Sequence, residues 1–409
     1  MKRALFALVA LISCVAAAPS DALSHEWASH SADDGSAQPD LEQPSEWPTR
    51  KWPNRNWDAA DISALKRWIN AAGDDALPVI STSTLDTAVL SGEISAIDEE
   101  ATALALRLAR MHLLGCSASR QKAGWNINDS DKSIALEPLL MQALKNNMLN
   151  TFFATLRPAH PDYGKLRAAY GSETDQKRRA TIGLNMERWR WMPRSLGGEY
   201  VLVNAPMFEA SLWRGGKRIS TWKIIVGKTS TPTPVFDTKI TGVIINPWWE
   251  IPASIVRESV GALVRRNPAR ARARGYVWAN GRYRQKPGPN NALGQMKLVM
   301  PNRFSVYMHD TPSKHLFEKD VRAFSHGCIR TGDAIGYAAT LLEGVRSRQQ
   351  VDAIVASRKT TTIKLERPMP LYIAYFTAAT DSTGQLLVQN DLYRRDARMA
   401  AASKPGCGG

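Results

Sequence analysis

The sequence predicts an α+β protein in which a helical N-terminal half precedes a mostly antiparallel β half, and three observations carry that reading. Apolar residues recur at three- and four-residue spacing from about residue 59 to residue 171, and from Gly198 onward the period falls to two. The composition, 44% hydrophobic and 22% charged over 409 residues, can supply more than one buried core. Wholesale disorder and a collagen-like fibre are excluded, and no apolar run reaches the roughly 18–20 residues of a membrane-spanning helix.

Lys2 and Arg3 precede an apolar stretch from Ala4 to Val15 that is closed by Ala16, Ala17 and Ala18. That is the build of a secretory signal peptide, assigned to residues 1–22 with cleavage near Ala18 or Ala22. The mature chain is then expected in the periplasm. Leu11-Ile12-Ser13-Cys14 also resembles a lipobox, which gives the alternative of a lipoprotein anchored through Cys14.

Residues 23–58 are polar, rich in Pro and Trp and without period, and read as a surface tether. Trp27, Trp47, Trp52 and Trp57 are expected to anchor it to the protein itself. Residues 59–175 read as a helical scaffold: Asp61 is a candidate N-cap for a helix carrying Ile62, Leu65, Trp68 and Ile69. Glu99 to Leu114 forms a second helix, a third begins near Glu137 and includes Leu139, Leu140, Leu144 and Met148, and Tyr163 to Tyr170 forms a fourth. His112 and His160 on these helices read as structural.

Strand patterns follow at Tyr200 to Val203, Phe208 to Trp213 and Ile219 to Val226, with Arg214-Gly215-Gly216-Lys217 as a turn. Further strands are expected at Gly242 to Asn246, Phe304 to His309, Thr360 to Leu365, Leu371 to Thr377 and Leu386 to Gln389. Two helices interrupt them, Pro252 to Arg266 and Gly332 to Gly344. The chemistry is expected in a domain over 185–365, followed by a C-terminal β extension over 366–395 and a flexible tail over 396–409.

Lys and Arg total 53 against 38 Asp and Glu, a formal charge of +15. An exported basic protein favours anionic polymers. Export argues against nucleic acid and for anionic envelope material such as peptidoglycan. Beyond the signal, Cys116, Cys328 and Cys407 remain, an odd number that leaves at least one thiol intramolecularly unpaired in an oxidising compartment. Cys328, inside Phe324-Ser325-His326-Gly327-Cys328-Ile329-Arg330, is the candidate functional thiol, and parity suggests a Cys116–Cys407 disulfide.

A cysteine attacks a carbonyl as its thiolate and needs a base within reach. His326 lies two residues before Cys328 and His309 lies nineteen before it, at the end of an expected strand. On that strand Ser305, Tyr307 and His309 would share one face while Val306 and Met308 enter the core. Asp310 is adjacent to His309, but consecutive strand side chains diverge, so a backbone carbonyl or Thr311 is the expected orienter of the imidazole. Gly327 permits a tight turn, and the amides of Gly327 and Cys328 could face an oxyanion. Arg330 could hold a substrate carboxylate or brace the turn. A zinc site built from His309, His315, His326 and Cys328 is the competing reading; its spacing matches no common zinc motif, and the metal would occupy the thiolate.

Ser325-His326-Gly327-Cys328-Ile329-Arg330 with His309 upstream resembles the signature of L,D-transpeptidases with a YkuD-type catalytic domain. Pro287-Gly288-Pro289-Asn290-Asn291-Ala292-Leu293-Gly294 and Tyr307-Met308-His309-Asp310-Thr311-Pro312-Ser313-Lys314 resemble the YcbB-like branch. So do Asn185-Met186-Glu187-Arg188-Trp189-Arg190-Trp191-Met192-Pro193 and Asn246-Pro247-Trp248-Trp249-Glu250-Ile251-Pro252.

The resemblance implies a cysteine acyltransferase. Cys328 would attack a peptidoglycan tetrapeptide stem, release D-Ala and pass the thioester to a diaminopimelate amine as a 3→3 cross-link, with His309 as base. Some relatives instead attach proteins to the wall; the alternatives are a hydrolase of wall peptides or protein attachments acting through the same thioester, and a catalytically inactive cell-wall-binding protein. Ser325, His326 and Gly327 would support the site, and Tyr307, Arg330 and Asn291 would meet the substrate. Carbapenems would acylate Cys328, and no metal or organic cofactor is called for. The resemblance also implies a helical, basic lid over 257–285, with Arg265, Arg266, Arg270, Arg272 and Arg274, as carboxylate recognition or as a solvated face.

One departure stands out. The branch usually carries a three-helix peptidoglycan-binding module before the Asn-Met-Glu-Arg-Trp segment, and only fourteen residues separate Tyr170 from Asn185 here. Anchoring then falls to the catalytic domain, its lid, the basic charge or an envelope partner protein.

Overall fold

The computed structural model describes residues 57–381 and 383–401. The signal segment, the tether up to residue 56 and Cys407 lie outside the described residues.

Seven helices open the described chain: α1 Ala59–Asn70, α2 Ser83–Ser91, α3 Ile94–Leu114, α4 Leu136–Lys145, α5 Leu149–Leu156, α6 Pro161–Ser172 and α7 Gln176–Trp189. The cap of α1 is Asp58 and not Asp61, because Asp58 is extended and its carboxylate accepts from the Asp61 amide at 2.7 Å. Trp57 is buried beside it, its indole donating to Thr102 at 3.0 Å, so this last tryptophan of the expected tether is anchored on the scaffold. The expected third helix is two helices, broken where Asn147 takes a left-handed φ of 53°. Two helices had no visible signal. The polar start of α7, Gln-Lys-Arg-Arg, hides the stripe Ile182, Met186 and Trp189, and α2 is only nine residues long.

Leu65, Leu85, Leu108, Leu140 and Phe153 form the scaffold core, with His112 buried at its edge. His160 caps α6 by accepting from the Asp162 amide through Nδ1 at 3.1 Å, and its ring stacks on Trp189 with centroids 4.1 Å apart. Both histidines are structural.

The β half contains β1 Trp125–Asn126, β2 Glu199–Asn204, β3 Glu209–Arg214, β4 Lys217–Gly227, β5 Val235–Ile245, β6 Trp249–Glu250, β7 Tyr276–Ala279, β8 Arg282–Gln285, β9 Met296–Val299, β10 Met308–His309, β11 Ala323–Ser325, β12 Ile329–Thr331, β13 Thr361–Ala374, β14 Ala378–Thr380 and β15 Leu386–Val388. The main sheet runs β5-β13-β2-β3-β4-β12-β10-β9, and β9 pairs back onto β5, so the path closes on itself. Most pairings along it are antiparallel; β13–β2 and β10–β12 are parallel. Closure satisfies the ladder edges that an open sheet would expose. Helix α8 Ala334–Leu341 packs Tyr337 against this sheet, its ring 4.4 Å from Trp222, and α9 Arg348–Ser357 follows.

Four expectations in the β half change. Thr360 to Leu365 and Leu371 to Thr377 are one strand, β13, whose second half pairs with both β2 and β5. The supposed extension beyond residue 365 therefore begins inside the barrel. The supposed tail from residue 396 opens instead as helix α10, Arg395–Ala401, where Asp396 meets Arg188 at 2.6 Å and Met399 is buried. Strand Phe304 to His309 shrinks to β10, because Ser305 takes a φ of 54° and cannot continue a strand.

The Asn-Met-Glu-Arg-Trp segment is the seam between the halves. Asn185 exchanges hydrogen bonds with Thr377 at 2.8 and 2.9 Å, and Trp189 stacks on Phe376 at 4.5 Å. Glu187 accepts from the amides of Cys116 and Ser117 at 2.6 and 2.8 Å. Cys116 is disulfide-bonded, and its expected partner Cys407 falls outside the described residues. Among the described residues, no helix is long and apolar enough to cross a membrane.

Candidate active site

Strands β10 and β12 lie side by side and parallel, with Met308 opposite Ile329 and His309 opposite Arg330. One step back in the same register Tyr307 stands opposite Cys328, and the Ile329 amide donates to the Tyr307 carbonyl at 3.0 Å. Residues opposite each other project from one face of a sheet. Tyr307, His309, Cys328 and Arg330 therefore share a face, while Val306, Met308 and Ile329 are buried on the other. The Tyr307 and His309 rings are 5.4 Å apart. On the far side of β10, β9 sets Lys297 opposite His309.

His309 is buried, and its Nδ1 lies 2.5 Å from the backbone carbonyl of Asp310. A carbonyl only accepts, so Nδ1 carries the proton and Nε2 is left bare to receive one. Burial drives the imidazole down to about 3, and Arg330 and then Lys297 add repulsion. It rests neutral. The Asp310 carboxylate points elsewhere: it accepts from the Gln295 amide at 2.9 Å and pairs with Lys314. It also packs on Gly294, where a φ of 59° and the absence of a side chain are both needed.

Burial pushes the Cys328 thiol up; the Tyr307 amide, Lys297, the Tyr307 hydroxyl and Arg330 oppose that rise. The Tyr307 hydroxyl is itself pushed up by burial and stays a donor. The thiol is thus surrounded by donors and cations, the setting a thiolate needs, inside a site that burial keeps neutral at rest.

The turn before Cys328 is braced from within. Ser325 Oγ donates to the Cys328 carbonyl at 2.5 Å and accepts from the Gly327 amide at 3.1 Å. The Gly327 carbonyl accepts from Thr233 Oγ1 at 2.9 Å, and Gly327 holds a φ of 109°. Ser325 is a support. Gly327, expected as an oxyanion donor, has its amide already spent on Ser325 and serves the turn instead.

Two other expected residues sit elsewhere. His326 reaches outward to Glu258 of the lid, Nε2 to Oε2 at 2.9 Å, and does not line the Cys328 face. Asn291, expected to meet substrate, is 1% exposed. Its amide donates to the carbonyls of Pro247, Gln285 and Lys286, and its oxygen accepts from the Leu293 amide at 2.8 Å, so no group remains for a ligand. It pins the base of the lid.

The expected lid over 257–285 takes in most of a helical run over 253–266, in which Val256–Val260 is a π turn, then a short helix Pro268–Ala273 and the hairpin β7–β8. β8 pairs with β6, so the lid is tied to the barrel through Trp249 and Glu250. Arg265, Arg266, Arg270, Arg272 and Arg274 are all exposed. Among the described residues no group of three or more His, Cys, Asp or Glu side chains gathers as a metal site.

Residues 198–352 match the L,D-transpeptidase catalytic domain family YkuD, and residues 51–169 match the Scaffold domain family. The matched stretch 198–352, which contains the Cys328 face, is thus a YkuD-type L,D-transpeptidase catalytic domain, and a Scaffold domain precedes it in the chain. A Haemophilus influenzae protein named "Putative L,D-transpeptidase" is 27% identical over 292 residues, covering 64% of this chain. The match spans 58% of that relative's length. An L,D-transpeptidase from Mycobacterium smegmatis is similar at 11% identity over 43% of this chain and 58% of its own, with a TM-score of 0.25. L,D-transpeptidase 3 from Mycobacterium tuberculosis, solved with a faropenem-derived adduct, is similar at 12% identity over 43% and 60%, with a TM-score of 0.23. Superpositions this loose add nothing to the family matches.

Proposed function

We propose that the chain is an exported peptidoglycan L,D-transpeptidase that works through a Cys328 thioester. The observation that carries this reading is the register of β10 and β12, which sets Tyr307 beside Cys328 and His309 beside Arg330 on one face. His309 Nε2 takes the Cys328 proton, and the thiolate adds to the carbonyl carbon of the third stem residue. The Tyr307 hydroxyl and the Cys328 amide are the donors beside the developing oxyanion. Collapse breaks the C–N bond, His309 returns the proton to the leaving nitrogen, and D-Ala departs. An acceptor amine, diaminopimelate on a neighbouring stem, then loses a proton to His309, attacks the thioester carbon and expels the Cys328 thiolate. The product is a 3→3 cross-link.

Intact-protein mass spectrometry tests this on the mature chain, first with a carbapenem and then with disaccharide-tetrapeptide plus a diaminopimelate-bearing acceptor. The expected result is an adduct on Cys328 followed by a cross-linked dimer. Trimmed peptide alone would mean that water resolves the thioester. No adduct, or an adduct that survives Cys328→Ala, would overturn the assignment.

A further inference from the structure

Lys297 carries no motif and gives no signal in the sequence, yet the fold brings it to the catalytic face. The register makes a cross-strand row, Lys297 on β9, His309 on β10 and Arg330 on β12. The Lys297 ammonium lies 4.2 Å from the centre of the Tyr307 ring. Both cations are partly buried. Among the described residues neither Lys297 nor Arg330 is ion-paired with a carboxylate, and Glu250, which attracts Lys297, is itself held by Arg284 at 2.5 Å. A desolvated cation without a counter-ion is costly unless a ligand supplies one. Two of them beside a nucleophile and a base form a receptor for an anion that arrives with the reactants.

We infer that Lys297 and Arg330 form a carboxylate subsite that grips the α-carboxylate of the amino acid leaving or entering the thioester, with Lys297 as its specificity-determining residue. The inference rests on the transpeptidase reading and deepens it. In that reading the leaving D-Ala is a D-α-amino acid whose nitrogen is freed next to a carboxylate. The diaminopimelate amine that replaces it also sits on a D-centre next to a carboxylate. One subsite therefore serves both half-reactions, and it rejects stems that continue beyond the fourth residue, where no free carboxylate would be present. A bound carboxylate also offsets the two charges that oppose an imidazolium at His309, so proton uptake becomes easier once substrate is in place.

The test compares acids with their amides. N-acetyl-D-alanine should slow the alkylation of Cys328 by neutral iodoacetamide, and N-acetyl-D-alaninamide should not. Charge-assisted hydrogen bonds of ordinary strength correspond to a preference of about 10- to 100-fold in binding. Lys297→Met should bring acid and amide to within about threefold, and Lys297→Arg should keep most of the difference. The same ratio should appear in thioester formation from tetrapeptide ending in D-Ala against its C-terminal amide. Equal protection by acid and amide in the wild-type protein, or an unchanged ratio in Lys297→Met, overturns the subsite. If Lys297→Met does not fold, the wild-type comparison alone decides. Selective protection by the acid without any acyl transfer would leave the subsite standing and sink the transpeptidase reading.

Discussion

The His309 imidazole leans on the backbone of Asp310 and not on its carboxylate, with Nδ1 2.5 Å from the carbonyl oxygen. The main chain thus sets the tautomer, and Asp310 is free to hold Gln295 and Lys314. In a Ser-His-Asp triad the acidic side chain itself does this, and its loss as a charge costs about 10⁴ in rate. Here Asp310→Asn should slow Cys328 acylation by less than about tenfold, because the carbonyl remains. His309→Gln should lose at least about 100-fold through the missing base. Stopped-flow acylation by a carbapenem reads both, and a 10⁴-fold loss in Asp310→Asn would restore the triad.

Ser325→Ala should destabilise the fold and slow acylation together. The change removes the donor to the Cys328 carbonyl and leaves the Gly327 amide without its acceptor. Such a buried loss costs about 1–3 kcal/mol. Urea unfolding at constant m-value measures it, and a cost below about 0.5 kcal/mol would show that the turn does not need the brace.

His326→Ala should leave acylation within about fivefold of wild type. Its contact with Glu258 joins two exposed side chains, and exposed pairs are worth about 0.2–1 kcal/mol. Hydrogen exchange over 256–260 should rise as the lid loses this tether. A loss as large as that of His309→Gln would exchange the roles of the two histidines.

Stability should fall steeply below neutrality. Burial holds His112, His160 and His309 near 3, against an ordinary value of 6.5, so each refuses a proton that the unfolded chain accepts as pH falls. Burial also raises Glu209 to about 7, against the pull of Arg218, so between its ordinary 4.5 and that value the fold holds one proton the unfolded chain lacks. From these four groups the unfolded state binds a net two extra protons between pH 6.5 and 4.5. The corresponding loss is on the order of 3 kcal/mol per pH unit. Melting temperatures should drop sharply from pH 6.5 to 5, and His112→Leu should flatten the slope by about 1 kcal/mol per unit. A flat profile would mean that these imidazoles are solvated.

That Cys328 and His309 would meet on one face was legible because a thiol in a glycine turn and a histidine ending a strand have few bland uses. Much of the barrel was legible too, since β2, β3 and β4 are short apolar runs divided by a Gly-Gly turn, although β2 and β3 are buried on nearly every residue and do not alternate. Lys297 was hidden because β9 is four residues long and lies just past the lid, and only its pairing with β10 brings the ammonium to Tyr307. Asn291 misled in the opposite direction: an amide in a Pro-Gly loop looks like a ligand, but only the folded chain shows all its hydrogen bonds turned inward. Gly327 likewise met the need for a turn, while the bond that consumes its amide comes from Ser325.

The parallel pairing of β10 with β12 also works as a ruler. Adjacent strands stand about 4.8 Å apart whatever joins them, so the crossover from Asp310 to Gly327 can lengthen or shorten without moving base from nucleophile. A slip of one residue within either strand would instead turn its reactive side chain into the barrel interior. Enzymes of this chemistry in distant genomes are thus better sought as two short parallel strands, one ending in histidine and one following a glycine-cysteine turn, than by a fixed nineteen-residue gap.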